Sequence, residues 1–297
     1  MIATVALILG LALSSHSAEV DDPSVAQAEP LEIPAACQPD AGGAVDFQVC
    51  ADTAPKGSMP RSLALINLAS RAYRSGDYPK ALSLYDEAVP PGLTVMSDVI
   101  FHTFRADTYA HVGRTEAAQA DASLAWRILS GEFSPSGSAK DDLPVDDRLR
   151  FEVLVRILPI LQDGDPETFA AAKAQFMALP AEDGVSLTNR AGVLATLGDY
   201  DTAISDSGKA LALLPDEAGL QNNHCYILYQ AGRAADGLPY CEAAVAALPQ
   251  VAPIRHSYAE VLAATGRCSE AEIQIAEARR LDPSSVEYTR ALACAAP

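Results

Sequence analysis

An all-α solenoid of about six helical hairpins with a terminal capping helix is the fold this sequence predicts, on three observations. Gly198, Gly232 and Gly266 open equivalent segments spaced 34 residues apart. Pro215, Pro249 and Pro283 each follow their glycine at an offset of 17. Apolar helical stretches precede these glycines, as over 187–197 and 258–264, and alanine-rich stretches follow them. A period of this length marks one helix–turn–helix unit, which cannot bury its apolar face alone and therefore stacks on its neighbours. Glycine ends the first helix because it takes the left-handed turn backbone without steric cost. Proline ends the second because it has no N–H to donate and clashes with the preceding turn.

Small residues sit where the two helices of a unit must approach: Ala191 with Ala203, Cys225 with Gly237, Ala259 with Ala271. Ala210, Ala244 and Ala278 recur at a later small position. Over residues 184–283 this pattern resembles the tetratricopeptide repeat (TPR) family, with three consecutive units in phase. Leu187 and Gln221 stand where that family commonly carries Trp. The resemblance implies a TPR-type solenoid in which the first helix of each unit lines a concave groove.

Earlier units follow the same logic. Gly164 lies 34 before Gly198, and Asp165-Pro166 suits the start of a helix ending at Leu179, with Pro in its first position. The helix before it, 150–161, is apolar nearly all round and should be buried on more than one side. Ala69–Tyr73–Gly76–Asp77–Tyr78–Ala81–Tyr85–Ala88 and Ala106–Tyr109–Gly113–Ala118–Ala122–Ala125 supply two more matches. Gly76 and Gly113 are 37 apart, which fits a three-residue insertion at Pro90-Pro91-Gly92. The interval of 51 from Gly113 to Gly164 exceeds one period by 17, and the surplus falls on a turn-rich segment beginning at Gly131. The expected organisation is a signal peptide over 1–17, a Pro/Ala/acidic leader over 18–60, and two repeats over 61–130. A loop insertion over 131–148, four repeats over 149–283 and a capping helix over 284–297, begun by Ser284-Ser285, complete it.

Charge excludes some functions. Lys+Arg number 21 against 39 Asp+Glu, a formal net charge of −18, with 49% hydrophobic and 20% charged residues. Such a chain builds a substantial core. It lacks the basic face that nucleic acid or an anionic membrane surface requires. The apolar run Ile2–Leu13, followed by Ser14-Ser15-His16-Ser17-Ala18, reads as an export signal cut after Ser17 or Ala18. The run is shorter than the roughly 20 residues of a spanning helix, so no stable membrane span is expected once it is removed. No Lys or Arg precedes it, which keeps an uncleaved anchor or a buried helix as the alternative. A periplasmic or secreted location is the expectation.

Six cysteines, none in a CxxC pair, favour structural disulfides in an oxidising compartment over a zinc or redox site. Six allow 15 pairings. Placed on the repeat, Cys225 and Cys241 face each other across one hairpin, with Gly237 a turn away admitting close approach. Cys268 begins the last hairpin's second helix, and Cys294 ends the capping helix expected to run back along it. Cys37 with Cys50 closes a local loop. Buried free thiols, packed as small apolar groups, are the alternative.

Catalytic spacings are not found: HExxH, GxSxG and GxxxxGK[ST] are all missing. His256 and Glu260 make at most half a metal site, and neighbouring helical residues such as His224 and Cys225 point apart. Trp126 beside Ala125 reads as packing, and Asp141-Asp142 with Asp146-Asp147 as a solvated loop without calcium-ligand spacing. No catalytic residue, metal ligand set or cofactor is implied.

The TPR resemblance assigns the groove to Asn67, Ser70, Tyr73 and Arg74, then Thr188 and Asn189, then Asn222, Asn223, Tyr226, Tyr229 and Gln230. His256, Ser257 and Glu260 follow, with Arg290 from the capping helix. Asparagine offers donor and acceptor together, and tyrosine an apolar ring with a polar tip; both suit an extended peptide. An ordinary wet helix face is the alternative. Chaperone-binding TPR proteins clamp a terminal carboxylate with groove lysines, which this sequence lacks. The function expected is protein or peptide docking in the concave groove, with an envelope assembly factor acting by self-association or edge contacts as the alternative.

Overall fold

A computed structural model describes residues 33–40, 43–88, 95–133 and 145–295. The signal peptide and the first part of the leader lie outside these residues. Thirteen α-helices, two 3₁₀ turns and no strand occur among the described residues. No described helix is long and apolar enough to cross a membrane. The chain divides into two units, one ending at Met177 and the other beginning at Ala178.

The first unit holds α1 (Phe47–Thr53), then the hairpins α2 (Met59–Arg74) with α3 (Tyr78–Glu87) and α4 (Val95–His111) with α5 (Thr115–Leu129). A third pair follows, α6 (Asp147–Leu161) and α7 (Pro166–Ala178). The second unit comprises α8 (Gly184–Thr196) with α9 (Tyr200–Leu213), α10 (Ala218–Gln230) with α11 (Ala234–Ala247), and α12 (Ala252–Ala264) with α13 (Cys268–Leu281). Six helical hairpins thus follow one another, the last four with turn glycines 34 residues apart. The small positions are the closest-packed points: Ala69, Ala81, Ala191, Ala203, Ala259 and Ala278 are all fully buried. After Gly232, which sits at φ 75°, the Arg233 N–H reaches back to the Leu228 carbonyl at 2.8 Å and closes the C-terminal cap of α10. Equivalent bonds run from Asp77 to Ala72, Arg114 to Tyr109, Asp199 to Leu194 and Arg267 to Leu262.

The third hairpin departs from this plan. Gly164 does not take the left-handed conformation of the other turn glycines, although its N–H bonds to the Leu161 carbonyl as theirs do three residues back. Phe151 and Phe176 stand between α6 and α7 with ring centroids 5.2 Å apart, and bulk at these positions keeps the two helices apart. α6 packs instead on both α4 and α5, which is why Leu154, Ile157 and Leu158 are fully buried. Its near-continuous apolar sequence is the cause. Asp165 accepts the Thr168 N–H at 2.7 Å and so starts α7.

Two ends differ from the sequence expectation. Residues 33–40 and 43–58, expected as leader, form a folded cap: a 3₁₀ turn (Ala35–Cys37) and α1 pack Cys37, Cys50, Ala51 and Ala54 against α2. Apolar anchors and a disulfide suffice there without any helical period. The capping helix expected over 284–297 is not formed among its described residues, 284–295. A 3₁₀ turn (Glu287–Thr289) leads into extended backbone at Arg290, with ψ 145°. Arg279 explains the switch, because its Nε donates to the Tyr288 carbonyl at 2.6 Å and takes the acceptor a continuing helix would use. Buried Tyr288 and half-buried Leu292 cover the last apolar face, and the Ala295 N–H bonds to the Ala263 carbonyl at 2.9 Å. The insertion expected over 131–148 mostly falls at 134–144, outside the described residues. Its final part joins α6, where Asp146 caps the helix by accepting the Leu149 N–H at 2.7 Å.

Three disulfides join Cys37 to Cys50, Cys225 to Cys241 and Cys268 to Cys294, with Cα–Cα distances of 4.6, 5.5 and 5.8 Å. Cys37–Cys50 lies outside the repeats, and Cys294 sits on the irregular C-terminal segment rather than on a capping helix. Cys225 and Cys241 are fully buried, whereas Cys294 is exposed. Reduction of the native chain should therefore open Cys268–Cys294 first, because a thiolate reagent must reach the sulfur it attacks. Trapping thiols during mild reduction and mapping them by mass spectrometry reads the order; early labelling of Cys225 would contradict it.

Candidate partner-binding wall

In the second unit, α10 packs beside both α8 and α12 to form one wall, with α9, α11 and α13 as the second helices of the three hairpins. The central features come from α10 and α12. Tyr226 and Tyr229 lie one turn apart on α10 with ring centroids 5.6 Å apart, both half-buried. The Tyr229 hydroxyl donates to Glu260 on α12 at 2.9 Å. Burial pushes the Tyr229 pKa up to about 12, with help from the Glu260 carboxylate that accepts its proton. Burial also raises the Tyr226 pKa, with smaller contributions from Glu260 and Glu287. Both rings therefore stay neutral hydrogen-bond donors at neutral pH.

Asn223 and Asn189 are exposed on this wall, free to offer amide donors and acceptors. Asn222 is half-buried, and its Oδ1 is enclosed without a hydrogen-bond partner. An enclosed acceptor with no donor is costly, and a ligand N–H reaching it would relieve that cost. His256 does not line open space as expected: it is 8% exposed, its ring packs against Tyr288 at 5.1 Å, and its Nε2 faces Glu260 at 3.5 Å. Arg290 is not on a helix at all. It lies exposed on the extended C-terminal segment, and its carbonyl accepts from Arg279. His256 and Arg290 are thus corrected: the first belongs to the packing of the terminal segment, the second to its exposed surface.

In the first unit, Asn67 on α2 is half-buried and spends its side-chain amide on the Leu63 carbonyl of its own helix at 2.8 Å. Tyr73 donates to Asp107 on α4, which also receives Arg156 of α6 at 3.9 Å and His111 at 3.4 Å. Burial first, and then the Asp107 hydrogen bond, push the Tyr73 pKa far up. Arg156 lies over the Phe104 ring at 4.8 Å. This crossing of three helices was missed in the sequence, since Tyr73, Asp107 and Arg156 are separated by 34 and 49 residues and only the fold aligns them.

A second missed feature had a signal. Arg105 pairs with Asp121 at 2.5 Å and Arg190 with Asp206 at 2.6 Å, both 16 residues apart and both linking the two helices of a hairpin. The Cys225–Cys241 bridge shares that separation. His102 also bonds Asp121 at 2.9 Å. His224, beside Cys225, is occupied by the Ser207 hydroxyl at 2.7 Å. Among the described residues no cluster of three or more His, Cys, Asp or Glu side chains is arranged to hold a metal ion.

The helical hairpins of the described residues have the fold of tetratricopeptide repeats. The tetratricopeptide repeat family matches residues 228–293. A tetratricopeptide repeat protein from Parabacteroides merdae superposes with a TM-score of 0.57 at 15% identity, over 82% of this chain and 86% of that one. PilW, described as a type IV pilus biogenesis factor, aligns with a TM-score of 0.49 at 18% identity, over 76% of this chain and 96% of its own. The first TPR domain of Spaghetti, solved with an HSP90 peptide, aligns over 36% of this chain and 84% of its own, at 21% identity and a TM-score of 0.34. No curated protein matches the chain.

Proposed function

We propose that this chain is an exported scaffold that docks an extended segment of a partner protein on the α8–α10–α12 wall. The observation that carries this is the α10 surface. Tyr226 and Tyr229 lie side by side with their rings tilted at 43°, Tyr229 braced by Glu260, beside exposed Asn223 and the unmatched acceptor of Asn222. Aromatic contact with paired amide groups is the chemistry that holds a peptide backbone while leaving its side chains to set specificity. Three disulfides support an oxidising location outside the cytoplasm. The strongly acidic composition points to a protein partner rather than nucleic acid.

The test is the double variant Asn223→Ala, Tyr226→Ala. Partners that co-purify with the wild-type chain from its native compartment should drop at least tenfold, as expected when a partly buried aromatic anchor worth roughly 1.4 kcal/mol or more is removed. The melting temperature should barely move, because Asn223 is exposed and Tyr226 only half-buried. Undiminished capture would remove this wall from the function.

A second reading rests on exposed apolar residues at one edge of the second unit. Val185 is 60% exposed, and Leu213 and Leu214 are 54% and 51% exposed, with Leu214 packed on Gly184. Such a patch suits self-association in an assembly role. Sedimentation of the purified chain separates the two: a concentration-independent monomer argues against assembly through this edge.

A further inference from the structure

The first unit contains a cavity of about 180 Å³ between α2, α4 and α6, separate from the wall assigned above. Its sides are apolar, formed by Ile100, Phe104 and Val153. Two features of its lining call for a ligand. Thr103 lines it, is only 2% exposed, and has an enclosed hydroxyl without a hydrogen-bond partner. Arg74, at the last turn of α2, lines the rim with no ion pair or hydrogen bond among the described residues.

The neighbouring charges are already matched. Asp107 receives Tyr73, His111 and Arg156, while Glu152 faces Arg148 at 3.5 Å. Arg156 is itself held by Phe104, by the Glu152 carbonyl at 2.8 Å and by Asp107. That leaves Arg74 as the one uncommitted charge of the lining, a cation in a chain of net charge −18. Volume sets the scale of the ligand. A dry apolar cavity of about 150 Å³ accepts benzene, so this one holds a single ring or a branched aliphatic group and little more. It is well below the roughly 300 Å³ at which drug-sized sites begin.

We propose that this cavity binds a small monocarboxylate with a compact apolar body: the body enters between Ile100, Phe104 and Val153, Thr103 donates its hydroxyl proton to a carboxylate oxygen, and Arg74 pairs with the anion. A guanidinium–carboxylate contact beside an apolar wall is partly desolvated, which strengthens it over an exposed pair.

The probe is 3-phenylpropionate, titrated into the full oxidised chain by calorimetry or by protein NMR. Its uncharged amide and 2-phenylethylamine, a cation of similar size, are the comparisons. The acid is expected to bind at least tenfold more tightly than either, the factor for about 1.4 kcal/mol of charge-assisted bonding. Arg74→Ala should erase that preference, and its exposed position leaves the fold unaffected. Thr103→Val, which keeps the shape but removes the hydroxyl, should weaken the acid several-fold more than the amine. Equal binding of acid and amide, or an unchanged preference in Arg74→Ala, overturns the proposal. A free-acid peptide, acetyl-Gly-Gly-Phe, distinguishes the source of the carboxylate. If it binds more than tenfold tighter than 3-phenylpropionate, the cavity serves a chain terminus and the small-molecule assignment falls. Because Asn223 and Tyr226 lie in the other unit, failure here leaves the partner-binding wall standing.

Discussion

Replacing Arg190 with alanine is expected to destabilise the second unit by about 3 kcal/mol, the low end of what removing one partner from a buried ion pair costs. Asp206 is 1% exposed on α9, and Arg190 reaches it from α8 at 2.6 Å. Burial pushes the Asp206 pKa up, yet hydrogen bonds from Arg190 and Lys209 outweigh this and hold it below the usual carboxylate value. Lys209 stays behind in the variant, but its side chain is 60% exposed and its pairing is screened by solvent. Urea unfolding at pH 7 reads the loss, and a change under about 0.5 kcal/mol would contradict the argument, since that is the range of ordinary surface substitutions.

The same pair has a pH signature. A folded-state pKa below the ordinary value near 3.9 adds stability that is fully present above about pH 4. That stability disappears as pH falls through the depressed value. The gap between wild type and Arg190→Ala should therefore narrow in acid. Combining Arg190→Met with Asp206→Leu should recover much of the loss, because no isolated charge then remains buried.

Changing Cys225 and Cys241 together to alanine should cost about 3 kcal/mol, the chain-entropy value for a loop of some 15 residues. The bridge spans a separation of 16 and both cysteines are fully buried. The pairing of α10 with α11 should nevertheless survive. A Cβ at Gly237 would lie 2.8 Å from the Cys225 carbonyl oxygen, so the missing side chain admits the close approach without the sulfurs. Circular dichroism should stay helical while the urea midpoint falls. A loss below 1 kcal/mol would mean the bridge joins groups already held by packing alone.

Much of this was legible in advance because a repeat writes its packing rules into spacing. Glycine at the turn, alanine at the crossing and proline at the end are each required by local backbone geometry, so the period of 34 marks the last three hairpins directly and the earlier ones follow with insertions. Of the cysteine pairs, Cys225–Cys241 follows from laying the two helices of a hairpin antiparallel. The spacing of 16 that marks Arg105–Asp121 and Arg190–Asp206 was equally present and was overlooked, because a charged pair inside a hairpin is not part of the small-residue pattern. The groove positions fared unevenly. Tyr226 and Tyr229 came together with Glu260, whereas His256 was covered by Tyr288 and Arg290 left the helix expected for it.

Local chain chemistry, then, was enough to specify where helices begin, turn and pair, since each of those steps involves residues within one repeat. It could not specify the N-terminal cap, the loosened third hairpin, the extended C-terminal segment or the Tyr73–Asp107–Arg156 crossing. Each of these depends on which side chain reaches a carbonyl, a carboxylate or an apolar face contributed by a distant part of the chain. Competition of that kind, such as Arg279 taking the Tyr288 carbonyl from a helix that would otherwise continue, is resolved only when the packed neighbours are in place.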